Sequence, residues 1–267
     1  MSAGGPAVTN DLDRRYTREV ALRHELLYGR GYQGPGSLEV FEALVARLDL
    51  RPGLRVLDVG SGLGGDALRL AGRHQVQVLG LDAAPDMTAV ARERLAQEQL
   101  PGVQFVTGDA RTSDVVAPAS FDVIWTRDAG AFVPEPQKPL LWRRLFAAAV
   151  PGAQVLVTDY CRGDAQGSTA FAEAMVRFGQ HMIDFGAYHR LVTAAGFTDV
   201  RTEDRTIDLL ESMYAGRRVL LQGRADLERE LTPPVWQDLH DRWEKKIGFA
   251  ERDELRWLVL TARRPGG

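Results

Sequence analysis

The 267-residue sequence predicts an α/β fold built on a mostly parallel β-sheet. Short apolar runs of strand length alternate with longer amphipathic stretches from residue 54 onward. The runs are almost continuously hydrophobic, which is typical of strands covered on both faces. A glycine-rich segment, GSGLGG at 60–65, follows the first of them. These observations predict a sheet with a ligand site at the carboxyl ends of its strands.

The order of elements follows from the spacing of apolar residues. Two helices are predicted before residue 50, because RRYTREVALRHELLYGRGY and LEVFEALVARLDL have helical spacing on either side of QGPGS. Five strands are then predicted, interleaved with helices over about 64–72, 85–99 and PLLWRRLFAAAV. The strands are LRVLDVG, VQVLGLD, VQFVTGD, FDVIWTRD and AQVLVTDY. Two further strands, GFTDVRTEDR and ELRWLVLTARR, flank a largely helical stretch. The expected organisation is a helical lid (1–50), a core (51–205), a helical insertion (206–253) and a last strand (254–267).

Composition excludes several classes of partner. Hydrophobic residues make up 45% of the chain, the net charge is −3 and the pI is about 6.0, with both signs of charge interspersed. This favours a globular monomer or homodimer that binds no nucleic acid. No apolar run approaches the roughly 20 residues that cross a bilayer, and the start MSAGGPAVTND has no export signal, so we expect no membrane partner and a cytoplasmic location. Cys161 is the single cysteine, and no metal-ligand spacing is evident.

The glycine-rich turn predicts a cofactor site. Gly60 and Gly62 let backbone N–H groups approach a ligand at a helix start, and Asp82 ends the next strand with a carboxylate for a ribose diol. These features suit dinucleotides and S-adenosylmethionine equally. Asp109 and the N–H of Ala110, at the end of the third strand, would meet an adenine amino group and ring nitrogen. Because no lysine has a tyrosine four residues before it, as short-chain dehydrogenases usually have, S-adenosylmethionine is favoured over a nicotinamide cofactor.

With this site the chain resembles the class I methyltransferases. The resemblance implies a Rossmann-like, seven-stranded sheet with one antiparallel strand near the C-terminus. It also implies that Arg127 lies beside the methionine end of the cofactor. Ala83 and Met87, after the second strand, complete the expected cofactor-binding residues.

A closer resemblance covers nearly the whole chain. YTREVALRHELLYGRGYQGPG, VLDVGSGLGGD, TRDA, TDYC, and WEKKIGF before RW are similar to segments of the phosphoethanolamine N-methyltransferases. That family pairs a lid tyrosine, here Tyr16, with a histidine on the fourth-strand loop, but Phe132 stands at the histidine position. Tyr160 and Lys246 match positions that hold the substrate phosphate. Phe178 stands near an expected arginine.

The two phenylalanines predict an acceptor pocket with more apolar surface than a small phosphate ester needs. In-line displacement at a sulfonium depends chiefly on alignment, so a base is needed only to remove a proton from the acceptor. The candidates are His181 and His24, with Asp128 as an orienting carboxylate and Tyr16 as a hydroxyl that closes the lid. We expect His24, Phe132, Tyr160, Phe178 and Lys246 to contact the acceptor.

The predicted function is methyl transfer from S-adenosylmethionine to a nitrogen or an aromatic carbon of a small molecule. Natural-product biosynthesis, such as methylation of the indole ring carbon of tryptophan cyclodipeptides, is the sharper form of this prediction. The alternatives are a phosphoethanolamine N-methyltransferase, a protein that binds the cofactor without turnover, and a nicotinamide oxidoreductase.

Overall fold

The computed structural model describes residues 15–35, 38–224, 227 and 231–266. Its centre is a seven-stranded sheet in the order β3-β2-β1-β4-β5-β7-β6. The strands are β1 (Arg55–Val59), β2 (Gln77–Asp82), β3 (Val103–Thr107), β4 (Phe121–Arg127), β5 (Ala149–Arg162), β6 (Thr198–Asp204) and β7 (Leu255–Arg263). Strand β7 is antiparallel to both β5 and β6, whereas β1 to β5 pair in parallel. The predicted α/β fold with one antiparallel strand is confirmed.

Helices cover both faces of the sheet because the central strands are apolar on both sides. Val56 and Val123 pack toward one hydrophobic cluster, and Leu57 and Ile124 pack toward the other. The helices are α1 (Arg18–Tyr28), α2 (Leu38–Val45), α3 (Gly65–His74), α4 (Pro85–Glu98), α5 (Lys138–Ala148), α6 (Thr169–Phe178), α7 (Phe185–Ala194), α8 (Thr206–Gln222) and α9 (Pro233–Glu251). Short 3-10 turns lie at Gly130–Phe132 and Glu135–Gln137.

Two elements cover the carboxyl edge of the sheet. Residues 15–35, which we call the lid, contain α1, whose Thr17 caps the helix by accepting the N–H of Val20. Helices α8 and α9 occupy the segment between β6 and β7 and contact each other. Residues 1–14 of the predicted lid lie outside the described residues.

Candidate active site

A cavity of about 840 Å³ lies at the carboxyl edge of the sheet, between the strand ends, the lid and α9. Its lining includes residues after β1, β2, β3 and β4, the end of β5, and parts of α1, α6 and α9. The volume is toward the upper end of the ~300–1,000 Å³ range of small-molecule sites. Of the predicted site residues, the following line it: Tyr16, His24, Gly60, Gly62, Asp82, Ala83, Met87, Asp109, Ala110, Arg127, Asp128, Phe132, Tyr160, Phe178 and Lys246.

The glycine turn is held in place by the carboxylate of Asp82. Its Oδ2 accepts the N–H of Gly62 at 2.8 Å, and its Oδ1 accepts the N–H of Ala84 at 2.9 Å. Gly60 has φ +75°, and a Cβ there would overlap the side chain of Ala129. Only glycine fits this position, because both the backbone conformation and the space exclude a side chain.

Asp58 is a cavity residue that the sequence prediction omitted. Burial, with Asp66 and Asp82 nearby, raises the pKa of Asp58 well above its usual value. Its Oδ2 and the hydroxyl of Ser61 are buried without a hydrogen-bond partner among the described residues. An acidic residue two places before the glycine turn, in VLDVGSG, was the available signal. Two unpaired polar atoms beside the turn fit a ligand that brings its own donors, such as the ammonium of S-adenosylmethionine.

Asp109, Ala110 and Met87, which are predicted to contact the adenosine, line the cavity near the end of β3 and the start of α4. Both oxygens of Asp109 accept hydrogen bonds from Arg111. Oδ1 accepts the backbone N–H at 2.8 Å and the Nε–H at 2.9 Å, and Oδ2 accepts a hydrogen bond from Nη2. Arg111 keeps the pKa of Asp109 low although burial opposes this. Met87 is buried, and its Sδ lies 3.1 Å from Nε2 of Gln33 in the lid. The Asp109 carboxylate is therefore ionised and fixed at the cavity wall.

Arg127 connects the sheet to the lid. Its Nη1 lies 3.1 Å from both oxygens of Asp66, and its Nη2 donates to the backbone carbonyl of Pro35. Asp66 also accepts the indole N–H of Trp125 at 3.0 Å. Arg127 lines the cavity at the position predicted for the methionine end, with its charge balanced by Asp66.

At the acceptor end, the lid meets the loop after β4 through two aromatic rings. We call residues 128–133 the rim loop. Tyr16 contacts Phe132 edge to face, with ring centroids 5.4 Å apart. Burial raises the pKa of the Tyr16 hydroxyl, so this group stays protonated. A ring-to-ring contact stands where the resemblance implied a tyrosine–histidine pair.

Tyr160 and Lys246 lie together beneath the lid. The Lys246 Nζ is 3.9 Å from the centroid of the Tyr160 ring, and the Tyr160 hydroxyl is hydrogen-bonded to Tyr28 of α1. Burial lowers the pKa of Lys246 to about 8, partly offset by Asp128. No carboxylate forms an ion pair with Lys246 in the described part of the chain. A half-buried cation without an acidic partner is suited to a ligand oxygen or an aromatic ring.

Asp128 is a cavity-lining carboxylate whose charge acts on Lys246. Its Oδ1 accepts the indole N–H of Trp257 at 2.8 Å and the hydroxyl of Thr158 at 2.9 Å. Burial raises the pKa of Asp128 above its usual value, against the effects of Arg127, Trp257 and Thr158. Its Oδ2 faces Gly34 of the lid, where a Cβ would lie 2.6 Å from that oxygen. Trp257 was not among the predicted site residues, and no sequence motif indicated this hydrogen bond.

The two candidate histidines differ in position. His24 lines the cavity, and burial together with Lys246, Arg242 and Arg23 lowers its pKa to about 4, so it is neutral at pH 7. His181 is exposed and is not among the lining residues, whereas Gln180 and Met182 are. Helix α6 ends at Phe178, and Gly179 has a left-handed φ of +59°. The chain therefore leaves the helical register, so the prediction of His181 as a base at the cavity is corrected.

Within residues 15–35, 38–224, 227 and 231–266, no three histidine, cysteine, aspartate or glutamate side chains cluster closely enough to hold a metal ion. The described helices include none that is both long and apolar enough to cross a membrane. Location and oligomeric state stay predictions.

Comparison with known proteins agrees with this geometry. The family profile described as "Methyltransferase domain" matches residues 56–152. Phosphoethanolamine N-methyltransferase 1 of Arabidopsis thaliana is 32% identical over 250 residues, which are 94% of this chain and 50% of that protein. The Plasmodium falciparum enzyme of the same name is 24% identical over 94% of this chain and 93% of its own.

A solved structure shows the same resemblance. Phosphoethanolamine N-methyltransferase 2 of Haemonchus contortus, in complex with phosphomonomethylethanolamine and S-adenosylhomocysteine, matches with a TM-score of 0.93 and 26% identity. The match covers 98% of this chain and 61% of that one. The chain spans about half the length of the Arabidopsis protein.

The fold, the domain match over residues 56–152 and the site are similar to those of class I S-adenosylmethionine-dependent methyltransferases. Among these proteins, the chain resembles the phosphoethanolamine N-methyltransferases. The predicted fold class and the predicted resemblance are both confirmed.

Proposed function

We propose that this chain transfers a methyl group from S-adenosylmethionine to a small molecule. The observation that carries the proposal is the continuity of the cavity, which runs from the glycine turn and Asp82 to the Tyr16–Phe132 contact and Asp128. One space can therefore hold a cofactor and an acceptor side by side. Such proximity supplies much of the rate of a displacement reaction.

The residues at the sheet edge fit the cofactor. Asp82 would bind the ribose hydroxyls, Asp109 and the N–H of Ala110 the adenine, and Asp58 the ammonium group. Met87 offers an apolar surface to the adenine ring. When bound, S-adenosylmethionine supplies an activated methyl group on a positively charged sulfur.

The chain's own residues prepare the acceptor. Tyr16 and Phe132 close the cavity against water where lid and rim loop meet. Asp128 has a fixed Oδ1 and an Oδ2 without a hydrogen bond among the described residues, so this carboxylate can accept a proton from the acceptor. Because burial raises its pKa, Asp128 is a stronger base than an exposed aspartate.

For the acceptor, the geometry favours an aromatic molecule with a nucleophilic nitrogen or ring carbon. The cavity walls toward the lid and α9 include six aromatic side chains, beside charged ones such as Arg242 and Lys246: Tyr16, Tyr28, Phe132, Tyr160, Phe178 and Trp243. Such walls bind flat apolar rings through edge and face contacts. An indole carbon of a tryptophan cyclodipeptide, in natural-product biosynthesis, is an acceptor of this kind.

Phosphoethanolamine is the second candidate, and the relatives support it more directly than they support an indole. The names of the three relatives described above all refer to this substrate. Lys246 lies over the ring of Tyr160 and has no acidic ion-pair partner among the described residues. Its ammonium group is therefore suited to bind a phosphate oxygen. The half-buried Phe132 and Phe178 favour the aromatic acceptor instead, since neither side chain can donate to a phosphate.

A competition assay decides between the two acceptors. The protein is incubated with methyl-labelled S-adenosylmethionine and equal amounts of phosphoethanolamine and a tryptophan cyclodipeptide, and labelled products are identified by mass. Label in the cyclodipeptide supports the aromatic acceptor, and label in phosphoethanolamine supports the second candidate. Binding of S-adenosylhomocysteine without any labelled product would indicate a binding protein and would overturn both.

Lys246→Met tests the same choice independently. If the acceptor carries a phosphate, we expect the KM to rise about 10- to 150-fold, because a hydrogen bond between two charged groups contributes about 1.5–3 kcal/mol. If the acceptor is aromatic, the KM should change by less than about threefold, since the lost cation–π contact is with Tyr160 and not with the acceptor, and methionine still packs on that ring. Arg218→Met, at an exposed position of α8 outside the cavity lining, is the control for the lost charge.

A further inference from the structure

Behind the acceptor end lies a buried carboxylate that the proposed function does not use. Asp159, near the end of β5, is 0% exposed and is not among the cavity-lining residues. Its Oδ2 accepts the hydroxyl of Tyr188 of α7 at 2.7 Å. Its Oδ1 accepts two backbone N–H groups, from Ala131 at 3.1 Å and from Tyr160 at 2.9 Å.

These two N–H groups belong to the two walls of the acceptor end. Ala131 precedes Phe132 in the rim loop, and Phe132 is the residue that meets Tyr16 of the lid. Tyr160 carries the ring that lies under Lys246. The Oδ1 atom of Asp159 therefore connects the rim loop to β5 through two hydrogen bonds.

The rim loop has little freedom to move away from Asp159. A Cβ at Gly130 would overlap both the Asp159 carboxylate and the Tyr188 hydroxyl, so the backbone passes directly over them. The Gly130 carbonyl accepts a hydrogen bond from Lys138. The Ala131 carbonyl accepts the backbone N–H of His181 at 2.6 Å.

We propose that Asp159 is a positioning residue for the acceptor site, and that its Oδ1 fixes the distance between Phe132 and Tyr160 by binding the backbone on both sides. The inference rests on the proposed methyl transfer. Asp159 does not touch the acceptor, and its effect on the reaction passes through the two aromatic residues. Misplacement of a wall by about 1 Å is enough to lower turnover about 100-fold.

The test compares Asp159→Ala with Asp159→Asn. Alanine leaves both N–H groups unbound, whereas the asparagine amide oxygen can still accept them and its NH2 can donate to Tyr188. We expect Asp159→Ala to lower kcat about 100-fold with unchanged affinity for S-adenosylhomocysteine, and Asp159→Asn to keep kcat within about tenfold of the original. Unchanged kcat in Asp159→Ala, or equal losses in both variants, would overturn the proposal.

Tyr188→Phe covers the case in which Asp159→Ala does not fold. It removes only the donor to Oδ2, so we expect a fall in kcat of about tenfold, from the loss of one hydrogen bond to a charged group. Tyr214→Phe removes a similar bond, to Glu251 at the surface, and should leave kcat unchanged. Equal kcat in Tyr188→Phe and the unsubstituted protein would count against Asp159 as a positioning residue.

Hydrogen exchange separates this proposal from the proposed function. If the unsubstituted protein methylates no acceptor, the function fails, but exchange at the Ala131 amide still reports on the role of Asp159. We expect this amide to exchange faster in Asp159→Ala than in Asp159→Asn or the unsubstituted protein, in the presence of S-adenosylhomocysteine. Equal exchange in all three would overturn the positioning role whatever the reaction is.

Discussion

Replacing Thr158 by valine should shift the pH at which the protein loses activity. The Thr158 hydroxyl donates to Oδ1 of Asp128 at 2.9 Å, and Thr158 is 0% exposed, so water cannot replace the lost donor. A hydrogen bond to a charged group contributes about 1.5–3 kcal/mol. Because one pKa unit corresponds to about 1.36 kcal/mol, its loss should raise the pKa of Asp128 by about 1–2 units. The 2.8 Å bond from Trp257 keeps the carboxylate in place.

The direction of this pH shift follows from the role of Asp128 as a base. The ionised carboxylate accepts the proton, so kcat/KM falls as the pH drops through the pKa of Asp128. Thr158 stabilises the ionised form, and its removal moves this fall to higher pH. Initial rates of labelled-methyl transfer across the acidic and neutral range measure the shift. Thr198→Val, at an exposed threonine of β6, is the control. An unmoved acidic limb in Thr158→Val would refute the assignment of Asp128.

Further predictions concern the same carboxylates and the lid. Asp128→Asn keeps the hydrogen bonds to Oδ1 but cannot accept a proton, so turnover should fall about 100-fold or more. The affinity for S-adenosylhomocysteine should not change, and full activity of this variant would exclude Asp128 as the base. Gly34→Ala places a Cβ 2.6 Å from Asp128 Oδ2 and should lower kcat/KM for the acceptor at least tenfold, whereas Gly72→Ala, with only ordinary contacts, should not. Burial raises the pKa of Asp159 from 3.8 to about 7, so the folded chain binds the proton of this carboxyl group more tightly than the unfolded chain does. The contribution of Asp159 to the free energy of unfolding therefore declines as the pH rises from about 4 to about 7. Asp159→Asn should remove that decline and raise the Tm at pH 8, as measured by calorimetry; a lower Tm would contradict the sign.

The fold and the cofactor half of the site could be predicted because their signals are local. Most strands are contiguous apolar runs; Gly60 and Gly62 lie in the turn after β1, and Asp82 is the last residue of β2. In a parallel sheet, the ends of β1, β2 and β3 are neighbours by necessity, so residues there converge without any knowledge of packing.

The acceptor half could not be predicted to the same degree, because its contacts join distant parts of the chain. Asp128 and Trp257 are separated by 129 positions, and their hydrogen bond depends on the antiparallel strand β7 lying beside β5. Asp159 lies in the TDYC segment, but the resemblance implied a role there only for Tyr160. His181 was expected at the cavity as a candidate base, but α6 ends at Phe178 and the backbone is left-handed at Gly179, so the residues beyond it do not continue the helical spacing.

The edge-to-face contact of Tyr16 and Phe132 makes this one point of closure independent of charge. No proton or ion holds these two rings together, so ionic strength and pH should hardly affect the contact itself. Apolar association weakens on cooling and strengthens with excluded salts such as sulfate. We therefore expect the two rings to be in contact in a smaller fraction of molecules in the cold than in the warm, and sulfate to raise that fraction.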